Sequence, residues 1–267
     1  TNKWQAWWTQ SVITEDYQPE MGFVSRSDII GTTPGVVRYF RGEKLPFKKW
    51  IRAYEPSIAA QFYHQASTGD LAERKLIAYP LYLNLQSGGY LGYGLSLDYQ
   101  NLKEPFIPLG VEIGPGEYDY TRHKVLASSD PSKKINFSGI IQWGNYFDGK
   151  LTSVDMQLTF VPIPNIAVSG LFNRNAFQDV GVDAITKDVD IYGIEGRFAL
   201  NPRLQFTGVY QKNSENDLEN INLRFSWEYK PLSYVYLVYN QRSFLDDLLV
   251  KQLEQQGIFK VSFVKQF

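Results

Sequence analysis

The chain contains no cysteine among its 267 residues, which excludes a disulfide framework and any thiolate metal site. It has only two histidines, His64 and His123, and neither has a second His or a Cys at metal-ligand spacing, so no metal or other cofactor is expected. Charge of one sign is missing as well: 27 Lys plus Arg stand against 28 Asp plus Glu, and the formal net charge is -1. That leaves no basic footprint for nucleic acid. There is no run of about 18 apolar residues, so no transmembrane helix is available, and any membrane crossing must be made by strands. The first residues, from Thr1, lack the basic head and apolar core of a signal peptide, as expected of a processed chain or a fragment. With 43% hydrophobic and 15% aromatic residues the chain is too apolar to be disordered, and its length suits one large domain or two small ones.

A period of two runs through most of the sequence. Between Asn220 and Lys230, Ile221, Leu223, Phe225, Trp227 and Tyr229 share one face, with Asn222, Arg224, Ser226 and Glu228 on the other. Leu91 to Tyr99, Ser153 to Phe160 and Tyr192 to Leu200 alternate in the same way. These runs reach about ten residues, longer than the roughly 5 to 6 of an ordinary strand and close to the 9 to 11 of a tilted bilayer-spanning one. Short turns such as Ser87-Gly88-Gly89, Pro162-Ile163-Pro164, Asn201-Pro202 and Pro231-Leu232-Ser233 alternate with longer connections such as Leu102 to Gly116 and Gln178 to Lys187.

The pattern predicts about 14 strands (12 to 16) in an all-β, antiparallel up-and-down transmembrane barrel, one domain over residues 1–267. They are placed near 3–14, 22–30, 50–66, 72–86, 90–101, 116–128, 134–147, 150–161, 165–176, 188–200, 203–213, 217–230, 233–243 and 257–267. Residues 31–49 are then a plug or periplasmic segment, or conceal a strand pair, and residues 244–256 read as a short amphipathic helix in the last external loop. A soluble sandwich or propeller would show the same alternation. Aromatics near strand ends, among them Trp143, Phe147, Phe160, Phe198 and Tyr229, favour the membrane form, as interfacial girdles. So does the last segment, where Phe259, Val261, Phe263 and the terminal Phe267 form an alternating C-terminal assembly signal, with Lys265 placed to snorkel.

Several phrases in order carry a resemblance. They are G-F-V-S-R at Gly22 to Arg26, Trp50-Ile51-Arg52 with Glu55-Pro56, Pro105-Phe106, P-G-E-Y at Pro115 to Tyr118, Y-F-D-G at Tyr146 to Gly149, and L-R-F-S-W-E-Y-K-P-L-S followed by Leu237 to Asn240. Together they resemble a family of Bacteroidota outer-membrane β-barrel proteins of unknown function. In that family a carbohydrate-binding-like module of family 9 type usually precedes the barrel, and nothing here corresponds to it. The resemblance implies a Gram-negative outer-membrane location and contact with outer-membrane lipid. It implies the barrel-assembly machinery as a partner during biogenesis, with further outer-membrane or periplasmic proteins, and it brings no catalytic residues.

The polar positions of the alternating runs, Asp98, Asp155, Glu195, Arg197, Arg224 and Glu228, carry both signs and are expected to face the lumen, bridged across it or bathed in water. His123 with Asp119 is a conceivable catalytic pair, and Gly114 to Gly116 is a glycine-rich turn without the Lys-Ser or Lys-Thr of a phosphate cradle. The expected function is a non-enzymatic membrane scaffold or anchor in an outer-membrane complex. A porin-like channel for small solutes is the alternative, and an outer-membrane hydrolase a distant third.

Overall fold

The computed structural model describes residues 3–18, 26–42, 45–215, 217–245 and 251–265. Apart from one 3-10 turn at Pro108–Gly110, its regular structure is all strand. The strands are β1 (Trp4–Ile13), β2 (Ile29–Arg38), β3 (Phe40–Arg41), β4 (Ile51–Tyr54), β5 (Ser57–Gln65), β6 (Leu71–Leu85), β7 (Tyr90–Leu102), β8 (Gly116–Ser128), β9 (Ile135–Tyr146) and β10 (Gly149–Ile163). They continue as β11 (Ile166–Val180), β12 (Ile185–Asn201), β13 (Leu204–Asn213), β14 (Leu218–Lys230), β15 (Ser233–Leu245) and β16 (Lys251–Ser262). One sheet takes them all, in the order β1, β2, β5, β6 and then consecutively to β16, while β3 pairs with β4 and β4 also with β6.

The sheet is open. Among the described residues β1 pairs only with β2 and β16 only with β15, so the first and last strands are free edges. The closed transmembrane barrel expected from the alternation is therefore corrected to an open all-β sheet. Alternation reports that each strand has two unlike faces. Closure depends on shear and tilt around the whole sheet, which no single strand encodes.

Two local expectations also change. Residues 31–38, assigned to a plug, lie in β2, which begins at Ile29, later than the strand expected at 22–30, whose residues 22–25 lie outside the described residues. Pro34-Gly35 looks like turn punctuation, yet Pro34 stands opposite Trp8 in the sheet, and the ladder to β5 skips from Thr32 to Gly35 where the proline has no N–H to give. Gly35 is needed there because a Cβ would come within 2.1 Å of the Trp7 ring. The helix expected at 244–256 is also absent from the described part of that segment: Phe244 and Leu245 end β15, and Lys251 to Gln255 open β16, with Phe244 opposite Gln252. Short apolar runs fit both periods, and strand pairing decided.

The chain separates into two compact units, residues 1–127 with 140–153 and 176–187, and residues 128–139 with 154–175 and 188–267. In the first, Ala6, Val36, Ile58, Ala78 and Leu95 stand opposite one another in a row across β1, β2, β5, β6 and β7. The other face of that sheet carries the row Gln61, Lys75 and Asp98. The β7–β8 connection, one of the longer connections expected, packs within this unit. Phe106 and Ile113 exchange backbone hydrogen bonds of 3.0 and 2.9 Å, and Val111 and Ile113 are fully buried. Val182 N–H donates to the Glu112 carbonyl, and Gly181, at φ +81°, lies so close that a Cβ would stand 2.1 Å from that oxygen.

In the second unit the register lines up Phe198, Phe206, Phe225, Leu237 and Phe259 in one row across β12 to β16. A parallel row holds Leu204, Trp227, Val235 and Val261. This apolar face is largely exposed, and Val189 is the one buried apolar side chain recorded among the unit's described residues.

Candidate functional sites

The densest chemistry lies in the first unit, on the polar face of β6, β7 and β8. Arg122 of β8 is 6% exposed. Its Nη2 donates to the Leu151 carbonyl at 3.2 Å, and its guanidinium carbon sits 5.3 Å from the centre of the Tyr146 ring. Its Nε is buried and has no hydrogen-bond partner. Asp98 of β7 is equally buried, accepts a 2.5 Å hydrogen bond from the Ser96 hydroxyl and pairs with Lys75 of β6 at 3.4 Å. These residues meet because the register sets Lys75 opposite Asp98 and Ile77 opposite Ser96. A cavity of about 20 Å³ opens between them, lined by Lys75, Ile77, Ser96, Arg122, Lys124 and Gln142 among others.

Aromatic side chains enclose the neighbouring space. Phe147, at φ +52° in the two-residue β9–β10 turn, touches Phe106, Tyr118, Tyr120 and Tyr146 with ring centres 4.8 to 5.9 Å apart. Burial in this shell pushes the Tyr120 and Tyr146 phenols above the ordinary tyrosine value, and pulls the Arg122 guanidinium below its own, since a low-dielectric surrounding penalises the charged form. Neutral phenols and a charged guanidinium held by a carbonyl and a ring make a binding environment. They supply neither a nucleophile nor a general base near neutral pH.

His123 is engaged elsewhere. Its Nδ1 lies 2.8 Å from the Tyr93 hydroxyl and its ring stacks between Tyr93 and Trp143, whereas Asp119 accepts from Arg74 at 2.7 Å. The two are not brought together as a pair. His64 stands in β5 opposite Ile30. Among the described residues no group of three His, Asp or Glu could hold a metal ion.

Of the polar residues singled out in the sequence, Asp98 belongs to the buried cluster, and the other five lie in the second unit. Asp155 accepts from Asn173 at 3.3 Å, and Glu228 accepts from the Leu232 N–H at 3.0 Å, which fixes the β14–β15 turn. Arg197, Thr207 and Arg224 share one row, Glu195 stands opposite Val209, and Arg224 lies 5.3 Å from the Tyr236 ring. Among the described residues none of these five forms an ion pair of the kind expected across a lumen. Phe259 and Val261 lie on the exposed apolar face of β16 opposite Leu237 and Val235; Phe263 has Lys230 Nζ 5.8 Å from its ring; Phe267 lies outside the described residues. Arg122, Lys75 and Lys124 escaped the sequence reading, although the alternation of Tyr120, Arg122 and Lys124 already placed them on one face of β8.

The edges are the second candidate. β1 reads W-Q-A-W-W-T-Q-S-V-I, with three tryptophans, no charge and no proline, and its register with β2 is unbroken from Trp4 to Ile13. Trp4, Trp8 and Val12 are each more than half exposed. β16 is exposed along nearly its whole length and carries Lys251, Glu254 and Lys260.

No family model, curated protein or solved structure matches the chain. The resemblance to Bacteroidota outer-membrane barrels is not supported, because its substance was a closed barrel and the sheet is open. The outer-membrane location, the membrane scaffold, the porin-like channel and the outer-membrane hydrolase all rested on closure, and they fall with it. No helix among the described residues is long and apolar enough to cross a membrane.

Proposed function

We propose that this chain is a non-catalytic structural protein that assembles edge to edge, β1 of one copy pairing with β16 of the next. One observation carries the reading: β1 is a ten-residue edge strand with none of the charges, prolines, bulges or shortness by which natural edges avoid pairing. Each edge strand leaves alternate N–H and C=O groups unpaired by sheet neighbours, and adding a strand satisfies them while covering tryptophan surface. β16 suits the partner role. Its 12 residues are enough to span the ten of β1, its own ladder with β15 is unbroken from Tyr234 opposite Ser262 to Leu245 opposite Lys251, and strand direction alternates along the path, so the new pair is antiparallel. The contact joins unlike edges, and repetition then yields a ring or an open filament.

The absence of native cysteine makes the test direct. Thr9→Cys in β1 is combined with single cysteines at positions 254–260 of β16, in the full chain under mild oxidation. A ladder of disulfide-linked multimers supports the assembly, and Trp8→Lys should weaken association at least tenfold by sedimentation. A disulfide formed within one chain, or none at any position, overturns it. So does a particle that is monomeric whenever detergent covers the apolar face and associates without using either edge.

A further inference from the structure

We infer that the contact between copies has one register, in which Trp8 of one copy lies over Gly257 of the next. The inference rests on edge assembly and adds the residues by which each copy recognises its neighbour. A ring over a cross-strand glycine recurs within this chain. In the first unit Trp7 stands opposite Gly35, Tyr63 opposite Gly31 and Tyr82 opposite Gly92, and a Cβ on these glycines would stand 2.1, 3.2 and 3.1 Å from the facing ring. Such a ring covers backbone that glycine leaves bare. Gly257, the one glycine of β16, lacks that cover. Tyr239, opposite it in β15, gives its hydroxyl to Gln241 at 2.8 Å, and among the described residues nothing beyond the chain neighbours of Gly257 lies within 4 Å of where its Cβ would be. Trp8 supplies the ring: it sits at mid-length of the other edge and is 68% exposed.

Setting Trp8 against Gly257 in an antiparallel pair fixes the remaining contacts. All ten residues of β1 fall opposite residues 252–261, inside the span of β16. Trp4 meets Val261 and Val12 meets Leu253, so apolar side chains face each other. The polar positions also complement. Asn222, Asn240 and Gln256 form a ladder of side-chain amides that runs out to β16, where the Gln256 oxygen accepts from Asn240 at 3.4 Å and its NH2 has no acceptor among the described residues. The Thr9 hydroxyl of the neighbouring copy stands opposite and can accept from it. On the other face Gln255 donates to Gln241 at 3.3 Å and keeps its own oxygen for the Gln10 NH2, since the Gln10 oxygen already accepts from Trp8 Nε1 at 3.4 Å. A slip of two residues puts Ala6 or Gln10 over Gly257 and sets Val12 against Lys251 or Gln255. A slip of one exchanges the faces and sets Val12 against Gln252 or Glu254.

The test uses the full chain and the cysteine scan against Thr9→Cys. Linkage between copies should peak at Gln256→Cys, several-fold above Glu254→Cys and Ile258→Cys. Gly257→Val should leave the fold intact, because the space is open and the backbone there is not left-handed. It should weaken association at least tenfold by sedimentation, and lose that effect in a Trp8→Ala background, as directly touching residues do. Multimers linked most strongly at another position overturn the register and leave edge assembly standing. Linkage within one chain, or at no position, overturns both. A Gly257→Val effect undiminished without Trp8 overturns the contact between them. If Gly257→Val fails to fold, the position of maximal linkage decides alone.

Discussion

The two units spend their apolar residues differently. Every buried apolar side chain recorded for the described residues except Val189 belongs to the first unit, where the β7–β8 connection packs Phe106 against Phe147 and accepts the Val182 N–H at the Glu112 carbonyl. The second unit has sheet and turns, and places Phe198, Phe206, Phe225, Leu237 and Phe259 in an exposed row. The same alternation thus serves two ends. Where a connection is long and apolar enough to return onto the strands it builds a core. Where turns are as short as Pro202-Arg203 or Pro231-Leu232, each strand can bury its face only against its neighbours.

Substitutions can break or sharpen that contrast. Phe147→Ala should cost about 3–5 kcal/mol in urea unfolding, because it empties the centre of five packed rings, whereas Phe206→Ala in the exposed row should cost at most about 1 kcal/mol, the scale of a cross-strand pair. Similar losses at both sites would mean that the second unit has a core of its own. Glycines give the next largest effect. Gly181→Ala meets a left-handed backbone and the Glu112 carbonyl at 2.1 Å, and should destabilise by about 2 kcal/mol, while Gly170→Ala in β11 meets nothing within 4 Å and should stay within about 0.5 kcal/mol of the parent.

The smallest effects are electrostatic and differ in sign between the units. In the first, the Ser67 hydroxyl, donating to Asp28 at 2.6 Å, holds that carboxyl below its ordinary 3.8. A depressed acid stabilises the fold above the unfolded value, and that contribution is lost as pH falls through the lower folded one. In the second, Lys212 is held above 10.5 by Asp217 and Glu219, so its contribution is complete below the unfolded value and lost as pH rises through the folded one. Ser67→Ala should flatten the acid end of the stability profile alone, whereas Asp217→Asn should flatten both ends, because the same contact with Lys212 holds the Asp217 carboxyl below its ordinary 3.8. An alkaline effect of Ser67→Ala, or an unchanged alkaline end in Asp217→Asn, would show that the groups act through something other than these contacts.

Much of this was legible in the sequence. The runs at 90–101, 116–128, 203–213 and 233–243 are strands within a few residues, since two-faced strands write their period locally. Three things were not legible. Pro34-Gly35 hid β2, because a proline inside a strand is tolerated only where the ladder is interrupted, and that depends on β5. Closure could not be read from strands that look alike whether their sheet ends or returns. Of the buried polar cluster, Asp98 was visible as a polar position, but Arg122 was not, because its burial depends on the Leu151 carbonyl and the Tyr146 ring, which come from other strands.

The order of the strands has a kinetic consequence. Among the described residues nearly every pair in the sheet joins strands adjacent in sequence, and only β2 with β5 and β4 with β6 step past a neighbour. A sheet whose last strand had to find its first would require a loop closure spanning the whole chain, with the slow, high-contact-order search this entails. Here each hairpin can zip onto the one before it, as soon as its own two strands have been synthesised, and the final event is the docking of β16 on β15 across a short connection.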